Sequence, residues 1–178
     1  IGILGRTGSG KTSIVDLLLR LYNVEENSIF LDGHDIMKLP IAQVRDAMGY
    51  VPQDGFLFSD TISNNISLSY GRRDDLYQDV QKAATLSDVH NNISEFSDGY
   101  QTIIGERGVT LSGGQRQRIS IARALIKNPP IIIMDDSVSA VDTKTEETIL
   151  ANSNRTFPTK HLNLQKILTA STCLFGQT

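Results

Sequence analysis

The stretch Gly5-Arg6-Thr7-Gly8-Ser9-Gly10-Lys11-Thr12 constrains this chain more than any other. It follows the apolar run Ile1-Gly2-Ile3-Leu4, which reads as a buried strand, and it opens a helical pattern from Lys11 to about Leu21. Strand, glycine-rich loop and helix in this order are the context that a phosphate-cradling loop requires. Glycines at these spacings let backbone N–H groups converge on anionic oxygens with no side chain in the way. The helix beginning at Lys11 aims its partial positive end at the same point. Lys11 adds a full charge for the β- and γ-phosphates, and the Thr12 hydroxyl is placed to meet Mg²⁺. Gly5, Arg6, Thr7, Gly8, Ser9, Gly10, Lys11 and Thr12 are therefore the expected nucleotide contacts. The bland alternative is a glycine-rich turn without a ligand, and the flanking strand and helix disfavour it.

A second element stands far downstream. Ile131-Ile132-Ile133-Met134 is a short apolar run followed by Asp135-Asp136. Such a run suits a strand covered on both faces, as in a parallel sheet. An acid at its carboxyl end emerges where ligands bind in open α/β sheets. Asp135 is expected to hold Mg²⁺ through water, the competing reading being a plain helix-capping acid.

Between them lies Leu111-Ser112-Gly113-Gly114-Gln115, followed by Arg116-Gln117-Arg118. Ser112 suits the N-cap of a helix over Gln115 to Ile126. A capped helix start is also an anion site, so the structural and functional readings are compatible.

Taken in order, these three elements resemble the ATP-binding cassette (ABC) family, and the resemblance runs from Ile1 to about Asn152. It implies an α/β fold of the P-loop NTPase type, with a RecA-like parallel-sheet core and an inserted helical signature subdomain. It implies ATP and Mg²⁺ as ligands. Ser112, Gly113, Gly114 and Gln115 would then reach across a dimer interface to the γ-phosphate held by a partner's loop. Gln53, within Tyr50-Val51-Pro52-Gln53, resembles the glutamine that senses Mg²⁺ and the γ-phosphate, which makes Thr12, Gln53 and Asp135 the implied metal set. Ser139-Ala140-Val141-Asp142 resembles the family's dimer-contact loop, with Asp142 as its acid. Gly105-Glu106-Arg107-Gly108 resembles a loop through which exporters meet their transmembrane domains, and Asp54 to Leu57 would share that contact.

Asp136 departs from the family's pattern, which has glutamate as the group that polarises the attacking water. Aspartate is one methylene shorter, about 1.5 Å of lost reach, and a base must come within hydrogen-bond distance of its proton. Gln53 and Asp136 are thus the implied catalytic pair, with slow turnover expected at this chain's own site. An aspartate here beside an intact signature resembles one subunit of a heterodimeric bacterial exporter, working at the cytoplasmic face of the membrane through transmembrane domains outside this chain.

Composition narrows the field further. A hydrophobic fraction of 39% over 178 residues supports a genuine core. The net charge of −3 and the lack of a basic run argue against a nucleic-acid surface. The lone cysteine, Cys173, cannot make an internal disulfide. No apolar run approaches the roughly 20 residues a membrane span needs. The expected division is 1–60 and 129–152 as two parts of the ATPase core, 61–128 as the helical subdomain, and 153–178 as an atypical tail, frameshifted or disordered. The chain opens inside a strand, so a longer parent protein is expected, and the aromatic residue that stacks on adenine would lie upstream.

In the tail, Ile167-Leu168-Thr169-Ala170 is the candidate for the family's next strand, with Ser171 where that strand would be followed by histidine. His161 precedes it and receives no role. His34 and His90 read as surface residues. Two other readings stay open: a soluble ABC-type ATPase of DNA repair or translation, and a non-catalytic nucleotide-binding fragment. A phosphate-loop kinase is more distant, because it gives Leu111 to Gln115 no purpose.

Overall fold

A computed structural model describes residues 2–6, 8–71, 74–105, 109–135 and 166–172. Its main sheet is parallel and four-stranded, in the order β1-β6-β5-β4, with β1 Gly2–Gly5, β4 Met48–Val51, β5 Ile131–Asp135 and β6 Lys166–Thr172. The tail strand β6 lies between the first strand and β5. It pairs Gly2↔Thr169 through Gly5↔Thr172 on one side and Ile131↔Lys166 through Asp135↔Ala170 on the other. β4 completes the sheet by pairing Met48↔Ile131 through Val51↔Met134. Because all pairings are parallel, Gly5, Val51 and Asp135 end at the same edge, where open α/β sheets place their ligands.

Side-chain alternation along β4 and β5 builds a different core on each face. Helix α1 (Lys11–Leu18) covers one face, where Val15 and Leu19 pack with Ile133, and Met48, Tyr50 and Ile131 close around them. Helix α6 (Gly113–Leu125) covers the other, where Ile121, Ala124 and Leu125 meet Val51, Ile132 and Met134. Burying an aliphatic side chain such as Ile133 contributes about 1.5–3 kcal/mol, and Ile133 is fully buried.

The opposite side of α6 belongs to a third cluster. Ile119, Ala122 and Ile126 pack there with Ile62 and Ile66 of α3 (Ile62–Ile66), Val80 and Ala84 of α4 (Tyr77–Leu86), and Ile93 of α5 (His90–Ser94). One helix therefore lies between the sheet and a helical layer, and its buried Gln117 and Ser120 show how little of it meets water.

Several boundaries differ from the sequence reading. The first helix ends at Leu18 rather than about Leu21, where Arg20 enters a left-handed turn at φ 51°. Ser28 to Leu31, which reads in the sequence as a short strand with Asp32-Gly33 as its turn, contracts to β2 (Phe30–Leu31), paired with β3 (His34–Asp35) across a tight turn. That turn has positive φ at both Asp32 and Gly33, which suits the Asp-Gly pair. His34 is exposed, as expected. His90 departs from expectation: it is half-buried, and its Nδ1 lies 2.7 Å from the Tyr100 hydroxyl in a hydrogen bond. Burial, with the neighbouring Tyr77, pushes the Tyr100 phenol up to about 12.

α6 meets the sheet at Gly49. A methyl group there would lie 2.7 Å from the Ala124 carbonyl oxygen and 2.8 Å from Pro129 Cγ. Neither neighbour is a flexible side-chain tip. Gly49→Ala is expected to destabilise the chain by about 1–3 kcal/mol, read as a lower unfolding midpoint in denaturant at unchanged slope. An unchanged midpoint would show that helix and strand have room to part.

Candidate functional site

The loop after β1 takes its shape from three glycines with different duties. Gly8 and Gly10 have φ of 80° and 87°, and a methyl group at either would meet nothing within 4 Å. They are glycines for backbone reasons alone. At Gly5 the backbone is not left-handed, and a methyl group would meet the rotatable Ser9 Oγ at 2.5 Å. The Ser9 amide closes the turn on the Arg6 carbonyl at 3.1 Å.

Gly10 is the N-cap of α1, in left-handed conformation, and no side chain caps it. The amides of that first turn are thus left to an external acceptor. Lys11 arches back over the loop and donates through Nζ to the carbonyls of Gly5 at 2.8 Å and Arg6 at 3.0 Å. Its ammonium therefore already sits at the mouth of the loop. The Thr12 side chain is exposed beside it.

Asp135 ends β5 and is only 5% exposed. By alternation it lies on the α1 face with Ile131 and Ile133, so its carboxyl belongs to the side from which the glycine loop opens. Tyr50, on the neighbouring strand, comes within reach of it. Burial, then the Asp135 and Asp16 carboxylates and a hydrogen bond to Asp135, raise the Tyr50 phenol above its ordinary range. Sequence reasoning quoted Tyr50 only as part of a motif. The signal that marks it is the spacing Met48, Tyr50, which places both on the face that carries Asp135.

Gln53 is exposed, two residues past the end of β4 at the same sheet edge. The Ser112 turn opens α6 on the other face. Ser112 Oγ accepts from the Gln115 amide at 3.2 Å, while the Ser112 amide donates to Gln115 Oε1 at 2.9 Å, a reciprocal capping box. Arg116 fixes the approach by donating from Nη1 to the Leu111 carbonyl at 2.8 Å. The helix begins at Gly113, two residues earlier than the sequence reading placed it. Ser112 and Gly113 are exposed, and Gly114 and Gln115 half-buried. Leu111, Gly113, Arg116 and Gln117 line one side of a cavity of about 570 Å³, and Gln53 to Leu57 line the other. Gly105 borders it, with positive φ, and a methyl group added there would run into Ser59.

Thr7, Asp136 and Asp142 lie outside the described residues, as do Glu106, Arg107 and Gly108 and the stretch Thr143 to Leu150, whose Glu-rich pattern reads in the sequence as a helix. Among the described residues, no cluster of three or more His, Cys, Asp or Glu is placed to hold a metal. No helix among them is long and apolar enough to cross a membrane.

A strand ending in a glycine loop, a helix start without a side-chain cap and a buried acid at the same sheet edge is the arrangement of a P-loop NTPase. The family model for ABC transporters matches residues 1–139. The chain belongs to the ABC transporter family. Among its relatives in Bacillus subtilis (strain 168), a probable multidrug resistance ABC transporter ATP-binding/permease protein, YheI, is 49% identical over 152 residues, covering 85% of this chain and 26% of that protein. The uncharacterized ABC transporter ATP-binding protein YfiB is 44% identical over 170 residues, covering 96% and 29%. The solved structure of a bacterial Atm1-family ABC exporter with ATP bound superposes with a TM-score of 0.79 at 41% identity, over 96% of this chain and 29% of that one. Matches covering 96% of this ABC chain reach into the 153–178 tail, beyond the Asn152 limit of the resemblance read from its motifs. The chain spans between a quarter and a third of the length of these relatives.

Replacing Lys11 removes a charged donor aimed at the loop mouth, an interaction of about 1.5–3 kcal/mol. Lys11→Ala is accordingly expected to weaken binding of a fluorescent ATP analogue by about 10- to 100-fold. Equal affinity in both forms would remove the loop from the nucleotide site.

Proposed function

We propose that this chain is the ATP-binding part of an ABC exporter, which hydrolyses ATP to drive a substrate across a membrane. One observation carries the reading most of the way. The chain has two helix starts suited to anions, at Lys11 and at Gly113, and they open on opposite faces of one sheet. A single triphosphate on the Lys11 side leaves the exposed Ser112 turn without an anion of its own. Two such domains facing each other supply one, with each signature turn meeting the γ-phosphate on the other's loop. The names of the relatives, an ATP-binding/permease protein among them, support a parent protein with membrane segments.

In this reading, Gly5, Arg6, Thr7, Gly8, Ser9, Gly10, Lys11 and Thr12 bind the phosphates through backbone amides and the Lys11 ammonium. Thr12, Gln53 and Asp135 suit Mg²⁺, being oxygen donors from three elements that end at one sheet edge; the ion, when bound, offsets charge on the phosphates. Hydrolysis needs water to attack the γ-phosphorus as the bond to the β-phosphate oxygen breaks, with a base to take the water's proton. Asp136 is the group next in line after Asp135, and Gln53 approaches from the neighbouring strand end. Asp142 would meet the partner domain. Residues 61–128 act as the helical subdomain inserted into a core made of 1–60 and 129–152. The cavity between Gln53–Leu57 and the start of α6 is where the membrane part would dock, and Glu106 and Arg107 would share that contact. ATP binding closes the pair and hydrolysis reopens it. The second domain is a relative of this chain rather than a copy, since the shortened Asp136 suits one weak site paired with a strong one.

Lengthening Asp136 by one methylene tests the weak-site assignment. A misplacement of about 1 Å can cost about 100-fold in rate. Asp136→Glu is expected to raise ATP turnover of the assembled protein by about tenfold or more at this chain's site. Equal turnover of the two forms, measured with the partner's site disabled, would contradict it.

A further inference from the structure

The segment between Gln53 and α3 has no regular secondary structure, yet its backbone is held at several points. The fully buried Asn65 holds it from below. Its Nδ2 donates to the carbonyls of Phe58 and Thr61, each at 3.0 Å, and its Oδ1 accepts from the Phe58 amide at 2.8 Å. Arg123, on α6, holds it from the side. Nη1 donates to the Phe56 carbonyl at 2.9 Å, Nε to the Asn65 carbonyl at 2.8 Å, and Nη2 to Asn65 Oδ1 at 2.9 Å. The guanidinium also stands 5.8 Å from the centre of the Phe58 ring.

A second tie lies nearer the start of the same helix. Gly55 packs so closely that a methyl group on it would sit 2.9 Å from Gln117 Oε1 and 3.4 Å from the Arg116 carbonyl. The loop thus meets α6 at two heights, bonded at Arg123 and packed at Gly55, both on the helix that starts at the Ser112 turn. On its outer side the loop presents Phe56 and Phe58, 63% and 47% exposed, with rings edge to face 5.0 Å apart.

We infer that Arg123 is a positioning residue: it fastens loop 54–58 to the signature helix, so that the docking cavity and the Ser112 turn shift as one unit. The inference rests on the exporter reading for its consequence, that a push on the loop reaches Ser112 instead of being absorbed by loop bending. Planarity is what the site needs, because three donors on one rigid fork reach three acceptors belonging to two segments. A lysine ammonium carries the charge but directs its donors from one point. Without the guanidinium, the Phe56 and Asn65 carbonyls lose their partner, and a loop with few buried apolar contacts opens on its own.

The test is residue-level hydrogen exchange on the assembled, membrane-embedded protein, with Arg123→Lys against wild type. The Phe58 amide reports on the loop and the amides of 117–121 report on the helix. Arg123→Lys is expected to speed exchange at Phe58 by about tenfold or more while 117–121 change by less than about threefold. Phe58→Leu, which leaves the guanidinium bonds in place, is expected to speed its own amide by less than about threefold. Phe58 exchange unaltered in Arg123→Lys, or released equally by Phe58→Leu, would overturn the fastening. In the same preparation, Arg123→Lys should keep basal ATP hydrolysis and KM for ATP within about twofold and lose stimulation by transported substrate about tenfold. A freed loop with full stimulation would overturn the transmission. Exchange decides the fastening on its own; a wild-type assembly that hydrolyses no ATP would count against the exporter reading instead.

Discussion

The close approach of α6 to the sheet at Gly49 positions the Ser112 turn. Backbone meets backbone there, with the Ala124 carbonyl where a methyl group would otherwise stand. The contact sets the height of the helix over β4, and therefore how far its first turn reaches past the carboxyl edge. The same helix buries Ile121, Ala124 and Leu125 toward the sheet and Ile119, Ala122 and Ile126 toward the helical layer. A helix packed on two sides has little freedom to tilt, because interiors are close-packed and a shift on one side is felt on the other. The exposed turn at Ser112 is thus carried on a rigid shaft.

The two helix starts solve the same electrostatic problem in opposite ways. At Lys11 the cap is a glycine in left-handed conformation without a side-chain oxygen, which leaves amides for a ligand. At Gly113 the capping box satisfies the turn internally, through Ser112 and Gln115. The first start is left open to an external acceptor. The second is already shaped before any partner arrives, so meeting a phosphate would cost it little ordering. One enclosing site and one preformed surface suit a phosphate shared between two domains.

Much of this was legible because the glycine loop, the strand before two acids and the signature each combine backbone demands with side-chain chemistry. Gly8 and Gly10 need positive φ, Ile131 to Met134 are covered on both faces, and Ser112 caps its helix with Gln115 three residues on. Tertiary pairing was less legible. The seven residues of β6 carry no caps or turn signals that announce their place between β1 and β5, and only long-range pairing assigns it. His90 was read as a surface residue because nothing local says that Tyr100 folds back over it. Arg123 lies in an ordinary run of helix-forming residues, and its role depends on a loop that arrives from a distant segment. Of the two-residue pair, β2 falls within the strand that Ser28 to Leu31 suggests, while β3, only His34–Asp35, is too short for alternation to reveal.

The account requires that the glycine loop of one domain and the signature turn of another hold the same triphosphate. Cysteines placed at Ser9 in this chain and at the signature serine of its partner domain, with Cys173 replaced by serine, measure that directly by disulfide cross-linking. The account predicts a bond between the two domains that forms with ATP and Mg²⁺ and is lost when nucleotide is removed. Cross-linking that ignores ATP, or none under any condition in protein that still binds ATP, would contradict it.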